Sequence, residues 1–242
     1  MKNIVIVGAS GHGSVVLDII EKEAKYKVVG FIDTYKSKGR LHNGYEILGK
    51  EEELPYLMDK FNFSAGIVAI GDNWIRNEIV DKISKIVPEF DFVSAVHPKS
   101  VTGRDIKIGK GTVIMPGAII NSNSRIGDFC IVNTNASLDH DCIMGNYASL
   151  APRTSTGGHV QLGEFSAICL GANVIEGIQI GHHTVVGAGS LVVNNIGNHV
   201  VAYGSPSQII RTREKGEPYL SKGKDPKSEL FIVHQNTIQP IN

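Results

Sequence analysis

The chain has 242 residues, room for one or two domains. Its 24 lysines and arginines balance its 24 aspartates and glutamates, which argues against a protein held to nucleic acid by phosphate neutralisation. The apolar share is an ordinary 42%, and no stretch approaches the roughly 18 apolar residues of a membrane span.

Ile4 to Val7 reads as a buried strand, too short and too quickly followed by glycine to be a secretory leader. Gly8 to Gly13 is a tight turn, and Val15 to Lys25 is predicted as a helix with Val16, Leu17, Ile19 and Ile20 on its apolar side. A strand over Val28 to Ile32 ends at Asp33. Ile47 and Leu48 precede a short helix over Lys50 to Lys60. Ala65 to Ile70 is a strand closed by Gly71-Asp72-Asn73, a helix covers Trp74 to Ile86, and Phe90 to Val96 is the last strand. Strands separated by helices imply a parallel sheet with right-handed crossovers, a Rossmann-like α/β domain over residues 1–96.

In Gly8-Ala9-Ser10-Gly11-His12-Gly13 the glycines allow the backbone to close on a phosphate at a helix N-terminus. The order G-x-x-G-x-G is not the dinucleotide fingerprint. Asp33 ends the second strand, where a ribose hydroxyl can be bound. A plain strand-to-helix turn explains the motif equally well. A domain this short argues against an NAD-linked oxidoreductase.

From Ile108 to Val192 an aliphatic residue returns at every sixth position; of fifteen slots only Thr156 is polar. Gly109, Gly127, Gly145, Gly163 and Gly181 recur every 18 residues. Neither helix nor amphipathic strand has such periods, and three hexads per coil describe a three-sided solenoid. The slot two before the aliphatic one is small (Ala118, Ser124, Cys130, Ala136, Cys142). Glycine or asparagine is expected at corners, where the turn often needs positive φ. Coils are expected from about Ile106 to about Ile209, five of them without insertion from Ile108 through Gly197, a rod roughly 24 Å long. The rod domain is thus placed at 97–210. Residues 211–242 form a charged tail with an apolar patch at Phe231-Ile232-Val233, expected to lie loosely or over a neighbouring subunit. Cys130, Cys142 and Cys169 have no metal-ligand spacing; Cys130 and Cys142 fall in the small slot and read as packing residues in a reducing cytoplasm. The adjacent His182 and His183 lack a carboxylate at ligand spacing, so no metal is expected.

His140, two residues after Leu138, projects outward within Asn133-Thr134-Asn135-Ala136-Ser137-Leu138-Asp139-His140-Asp141-Cys142. Outward histidines on solenoids are commonly solvated surface residues. A histidine is also the obvious general base near neutral pH, and Asp139 or Asp141 is available to orient it. One coil on, Thr156-Gly157-Gly158-His159 offers a backbone N–H that a glycine leaves approachable by an oxyanion. Asn133 reads equally as a positive-φ corner residue.

The hexads resemble those of the hexapeptide-repeat acyltransferases. That resemblance implies an all-β left-handed parallel β-helix, homotrimers, and acyl-CoA in the grooves between adjacent rods. NTNASLDHDCIMG with GASGHG is similar to the bacterial nucleotide-amino-sugar N-acetyltransferases and their sialic-acid O-acetyltransferase relatives, over residues 1 to about 210. It implies His140 as base, Asp141 (a shorter side chain than the usual glutamate) as its assistant, and the Gly158 N–H at the oxyanion. It places Asn133 near the sugar and the pyrophosphate near Gly11, His12 and Gly13, with Asp33, Gly71 and Asn73 as further walls. Acetyl-CoA or another acyl-CoA would lie along Gly158, His159, Ala188 and Gly189 to the loop at Ser205 and Pro206. The expected activity is N-acylation of a nucleotide-activated amino sugar in the cytoplasm. O-acetylation of a sialic acid and a non-catalytic scaffold are the alternatives.

Overall fold

The computed structural model describes residues 1–220. Its first unit is a six-stranded sheet: β1 (Lys2–Val7), β2 (Tyr26–Ile32), β3 (Leu41–His42), β4 (Tyr45–Gly49), β5 (Ala65–Val68) and β6 (Asp91–Phe92), in the order β3-β4-β2-β1-β5-β6. All pairs are parallel except the β3–β4 hairpin. Helices α1 (Gly11–Glu23), α2 (Leu54–Phe61) and α3 (Asn73–Ile86) connect them. α1 starts four residues before the predicted Val15, because the Ser10 side chain caps it by accepting from the Gly13 N–H. It stops at Ala24, which turns left-handed at φ 56°. Gly13 has a packing reason to be glycine: a Cβ there would run into the Gly8 carbonyl oxygen.

The predicted strand Phe90 to Val96 divides. Asp91–Phe92 completes the α/β sheet, whereas Ala95–Val96 pairs with Val113–Ile114 as the first rung of the rod. Ser94 sits in the rod's small slot, donating to Gly109 O (2.8 Å) and accepting from Thr112 N (3.1 Å). The rod therefore begins earlier than Ile106. Three stacks of two-residue parallel strands form its faces. The first face runs from Ala95–Val96 through Ile131–Val132 to Val185–Val186, and the second from Val101–Thr102 through Ser137–Leu138 and Ser155–Thr156 to Leu191–Val192. The third runs from Lys107–Ile108 through Ile143–Met144 to Gln179–Ile180. The 18-residue register holds to Val192; the last coil is two residues shorter, Val185 pairing with Val201. An antiparallel hairpin, Val200–Gly204 with Ser207–Thr212, then closes the first face.

Inward aliphatic side chains from Ile114 to Val192 form one continuous buried column. Small-slot hydroxyls bridge successive coils: Ser124 Oγ donates to Asp139 O (2.7 Å) and accepts from Cys142 N (3.1 Å). The corners depart from the glycine-and-asparagine expectation. Positive φ falls at every sixth residue from Asp105 to Gly189, and its holders include Phe129, Asp141, Tyr147, Arg153, His159, Phe165 and His183. The recurrent glycines at 127 and 163 serve close approach instead, since a Cβ on Gly127 would lie 2.8 Å from Asn146 N.

The two units share a core. Val113, Met115 and Ile131 on the outer side of the first face pack with Ile4, Ile6, Val16 and Ile20. Phe129 at a rod corner joins Val5, Leu54, Ile83 and Phe92. Arg76 of α3, 1% exposed, ties the junction. It donates to the carbonyls of Phe129 (2.8 Å), Ile70 (2.8 Å), Gly71 (3.0 Å) and Tyr147 (3.1 Å), and to Asn73 Oδ1 (2.7 Å).

The start of the tail is not loose. Arg213 is buried, and Tyr219 donates from its N–H to Asp72 Oδ2 (3.3 Å) and from its hydroxyl to Gly71 O (3.3 Å). Residues 213–220 are thus held by their own subunit, through the half-buried Tyr219 and the cap of α3. The patch at Phe231-Ile232-Val233 lies outside the described residues.

Candidate active site

His140 stands at the corner between the second and third faces. Its Nδ1 lies 2.8 Å from Asp141 Oδ2. Asp141 occupies the positive-φ position (φ 56°), which turns its short side chain back along the preceding residue, so the missing methylene does not prevent contact. Asn123 Nδ2, one coil earlier, donates to the other Asp141 oxygen (3.2 Å). Asp139 is engaged elsewhere: its Oδ1 accepts from Asn121 Nδ2 (2.6 Å) and from the His140 N–H (2.8 Å). The Asp141 hydrogen bond raises the His140 pKa above the usual histidine value and lowers that of Asp141. The imidazole is half exposed, at 52%.

Gly158 lies directly beneath this ring. A Cβ on it would sit 2.5 Å from His140 Cε1 and 2.6 Å from Nε2, so only glycine leaves the imidazole its place. The Gly158 N–H donates to no acceptor among the described residues, while its neighbours bond Val174 O and His140 O. The His159 ring meets that of His140 edge-on, with centroids 5.2 Å apart. Donor atoms of His140, Asp141 and His159 all lie within 4.8 Å of one another, on exposed side chains.

A second feature is a cavity of about 240 Å³ at the corner between the first and second faces, lined among others by His12, Gly71, Asn133, Cys169, Leu170 and Tyr219. His12 Nε2 is buried there without a hydrogen-bond partner among the described residues. Burial first, and then the Arg76 charge, lower the His12 pKa to about 4, so the ring is neutral at pH 7. Asn133 is not the left-handed corner residue; that position belongs to Asn135 at φ 55°. The structure thus gathers His12, Gly71 and Asn133 around one hollow. Wider hollows lie away from these residues, one of them along Lys2, Asn3, Met58 and Ser64.

Other expected site residues have structural work. Asp33 accepts from the N–H groups of Ala9 (2.8 Å), Tyr35 (2.9 Å) and Lys36 (3.1 Å), and so holds the glycine turn closed. Asn73 is 2% exposed and engaged at both ends of its amide, its Oδ1 accepting from Arg76, Ser149 and Tyr219 and its Nδ2 donating to Ser166 O. Gly11 has open space around its α-carbon. Ala188 and Gly189 fall on the first-to-second corner, across the second face from His140 and Gly158, and Ser205-Pro206 is the tip of the closing hairpin. Sequence reading missed Arg76 and Tyr219. Arg76 left a signal, because it shares the buried stripe of α3 with Val80 and Ile83. Tyr219 left none.

A rod of this kind behind a small α/β domain, with an aspartate-paired histidine beside a glycine amide, defines a hexapeptide-repeat acyltransferase. The family described as the PglD N-terminal domain matches residues 3–83. PerB of Caulobacter crescentus, solved with CoA and GDP-perosamine, is 34% identical, with a TM-score of 0.80 over 87% of this chain and 98% of that one. The acetyltransferase domain of PglB from Neisseria gonorrhoeae, solved with acetyl coenzyme A, is 28% identical, with a TM-score of 0.79 over 86% and 99%. UDP-N-acetylbacillosamine N-acetyltransferase of Bacillus subtilis is 35% identical over 124 residues, which are 48% of this chain and 52% of that protein, so the match spans about half of that relative. This chain belongs to the hexapeptide-repeat sugar N-acetyltransferases, CoA-dependent enzymes built on a left-handed parallel β-helix.

Proposed function

We propose that the protein transfers an acyl group, most simply acetyl, from acyl-CoA to the amine of a nucleotide-linked amino sugar, and that the transfer is direct. The observation behind this reading is the juxtaposition of His140, Asp141 and the free Gly158 N–H. His140 Nε2 takes a proton from the amine as nitrogen attacks the thioester carbonyl. Asp141 holds Nδ1–H and stabilises the imidazolium. The Gly158 N–H receives the oxyanion, and the C–S bond breaks to release CoA thiolate. No step is assigned to a metal.

The sugar nucleotide is assigned to the hollow at His12, Gly71 and Asn133, with its pyrophosphate toward Gly11 and Gly13 at the N-terminus of α1. That hollow and His140 lie at opposite edges of the second face. A homotrimer resolves the separation by setting the His140 corner of one copy against the hollow of the next. Exposed Val101 and Ile119, followed by the short side chains of Ser137 and Ser155, give the second face a surface suited to such contact. The acyl-CoA then runs in the seam, between Gly158 and His159 of one copy and Ala188, Gly189, Ser205 and Pro206 of another. Three buried or half-buried free thiols accord with a cytoplasmic setting.

The test is a panel of UDP-, GDP- and dTDP-linked amino sugars with acetyl-CoA, following thiol release. His140→Asn is expected to cut turnover about 10²–10⁴-fold while nucleotide binding persists. Undiminished turnover would remove His140 from the mechanism.

A further inference from the structure

Fifteen inward slots run along the rod from Ile108 to Val192, and Thr156 alone is polar. It is 7% exposed, inside a column of aliphatic side chains. A valine would fill this slot without burying a hydroxyl. The exception sits one coil beyond the His140 corner.

The hydroxyl changes the ladder at that rung. Elsewhere on the second face the N–H following each rung donates to the carbonyl one coil on: Gly103 to Ile120, Asn121 to Leu138, Gly157 to Val174 and Ile175 to Val192. Between these, the Asp139 N–H donates instead to Thr156 Oγ1 (3.2 Å). The strand pairing shows the same break, with Ser137 opposite Ser155 but Leu138 and Thr156 unpaired. The residue so displaced is the one before the base. Asp139 Oδ1 receives the His140 N–H, and Asp139 O receives Ser124 Oγ. Thr156 therefore sets the height of the Asp139-His140-Asp141 turn above Gly158.

We propose that Thr156 is a positioning residue: its hydroxyl, substituting for a ladder carbonyl, holds the turn that aims His140 at the Gly158 amide and at Asp141. The inference rests on the base role of His140 given above. Valine would restore the aliphatic series and let the ordinary ladder bond form, pulling the turn toward the regular rung.

Thr156→Val is expected to lower kcat about tenfold, the weight of one hydrogen bond at the reacting group, with KM for acetyl-CoA changed less than twofold and the thermal midpoint unchanged or raised. Thr156→Ser keeps the hydroxyl and is expected to recover most of kcat. The groups facing the imidazole are Asp139, Asp141 and His159. Loosening the Asp141 contact in Thr156→Val is expected to move the acidic limb of the kcat/KM profile toward lower pH, a shift that a merely structural role would not give. Wild-type kcat and pH profile in Thr156→Val, beside an inactive His140→Asn, would overturn the positioning role alone. Full activity in His140→Asn would overturn it together with the mechanism.

Discussion

Two corners of one rod use the same backbone for opposite ends. At the third-to-first corner the positive-φ positions hold Phe129, Tyr147, Phe165 and His183, and the rings stack in a column that His199 continues, with centroids 4.7–5.0 Å apart. This column leans on the α/β domain, where Trp74 meets Phe165 at 5.5 Å. At the second-to-third corner the equivalent positions hold Asn123, Asp141 and His159, with exposed side chains; Asn123 is hydrogen-bonded to Asp141 one coil on, and the His159 ring meets that of His140 edge-on. Burial lowers the pKa of His183 to about 4, while a carboxylate partner raises that of His140. The hexad fixes where a corner side chain stands; its neighbours decide whether it supports the rod or acts as a base.

The sharpest way to break this comparison is Gly158→Ala. The new methyl group would displace the imidazole and crowd the oxyanion amide together, and we expect kcat to fall about 10²–10³-fold with the fold retained, as far-ultraviolet circular dichroism would show. Activity near that of the wild type would mean that the amide and ring do not act together. On the silent side, Arg76→Met is expected to lower stability by at least ~3 kcal/mol in urea unfolding, because several backbone carbonyls at the junction, that of Phe129 fully buried, lose their donor at once. A near-neutral result would show that water replaces the guanidinium at the junction. Asp141→Asn keeps the shape of the corner and removes its charge. We expect about a tenfold loss in kcat/KM, since the pair is exposed, and an acidic limb displaced to lower pH as the support for imidazolium is lost. An unmoved limb would assign the raised His140 pKa to Asp139 instead.

What was legible in the sequence was what repeats. The aliphatic and small slots gave three faces, and His140 with Gly158 fell at one corner because they are 18 residues apart. The aromatic column was equally periodic, yet a period does not say which corner meets another domain. Contacts between separate segments have no period at all. Arg76 to Phe129 and Tyr219 to Asp72 join residues far apart in sequence, so the domain junction and the folded-back tail became visible only in three dimensions. Asp33 and Asn73 looked free for a ligand because nothing in their spacing announced the backbone groups that occupy them.

The smallest effect separates the two histidine corners by pH. His183 is neutral in the folded chain down to about pH 4, whereas an unfolded histidine takes its proton near 6.5. Between those values the unfolded chain binds more protons, so stability falls as pH drops from 6.5 toward 4. The ring is partly solvated, which reduces its share to about 1 kcal/mol, or about 2–4 °C in thermal midpoint. His183→Phe extends the aromatic column and deletes the titration. Its midpoint is expected to exceed that of the wild type by this amount at pH 5, with the gap shrinking at pH 8. His12 is buried and neutral as well, so it should retain its own acid sensitivity in the variant. A gap that is the same at both pH values would mean that the column gains from the phenyl ring alone, and that the proton on His183 plays no part in the acid response.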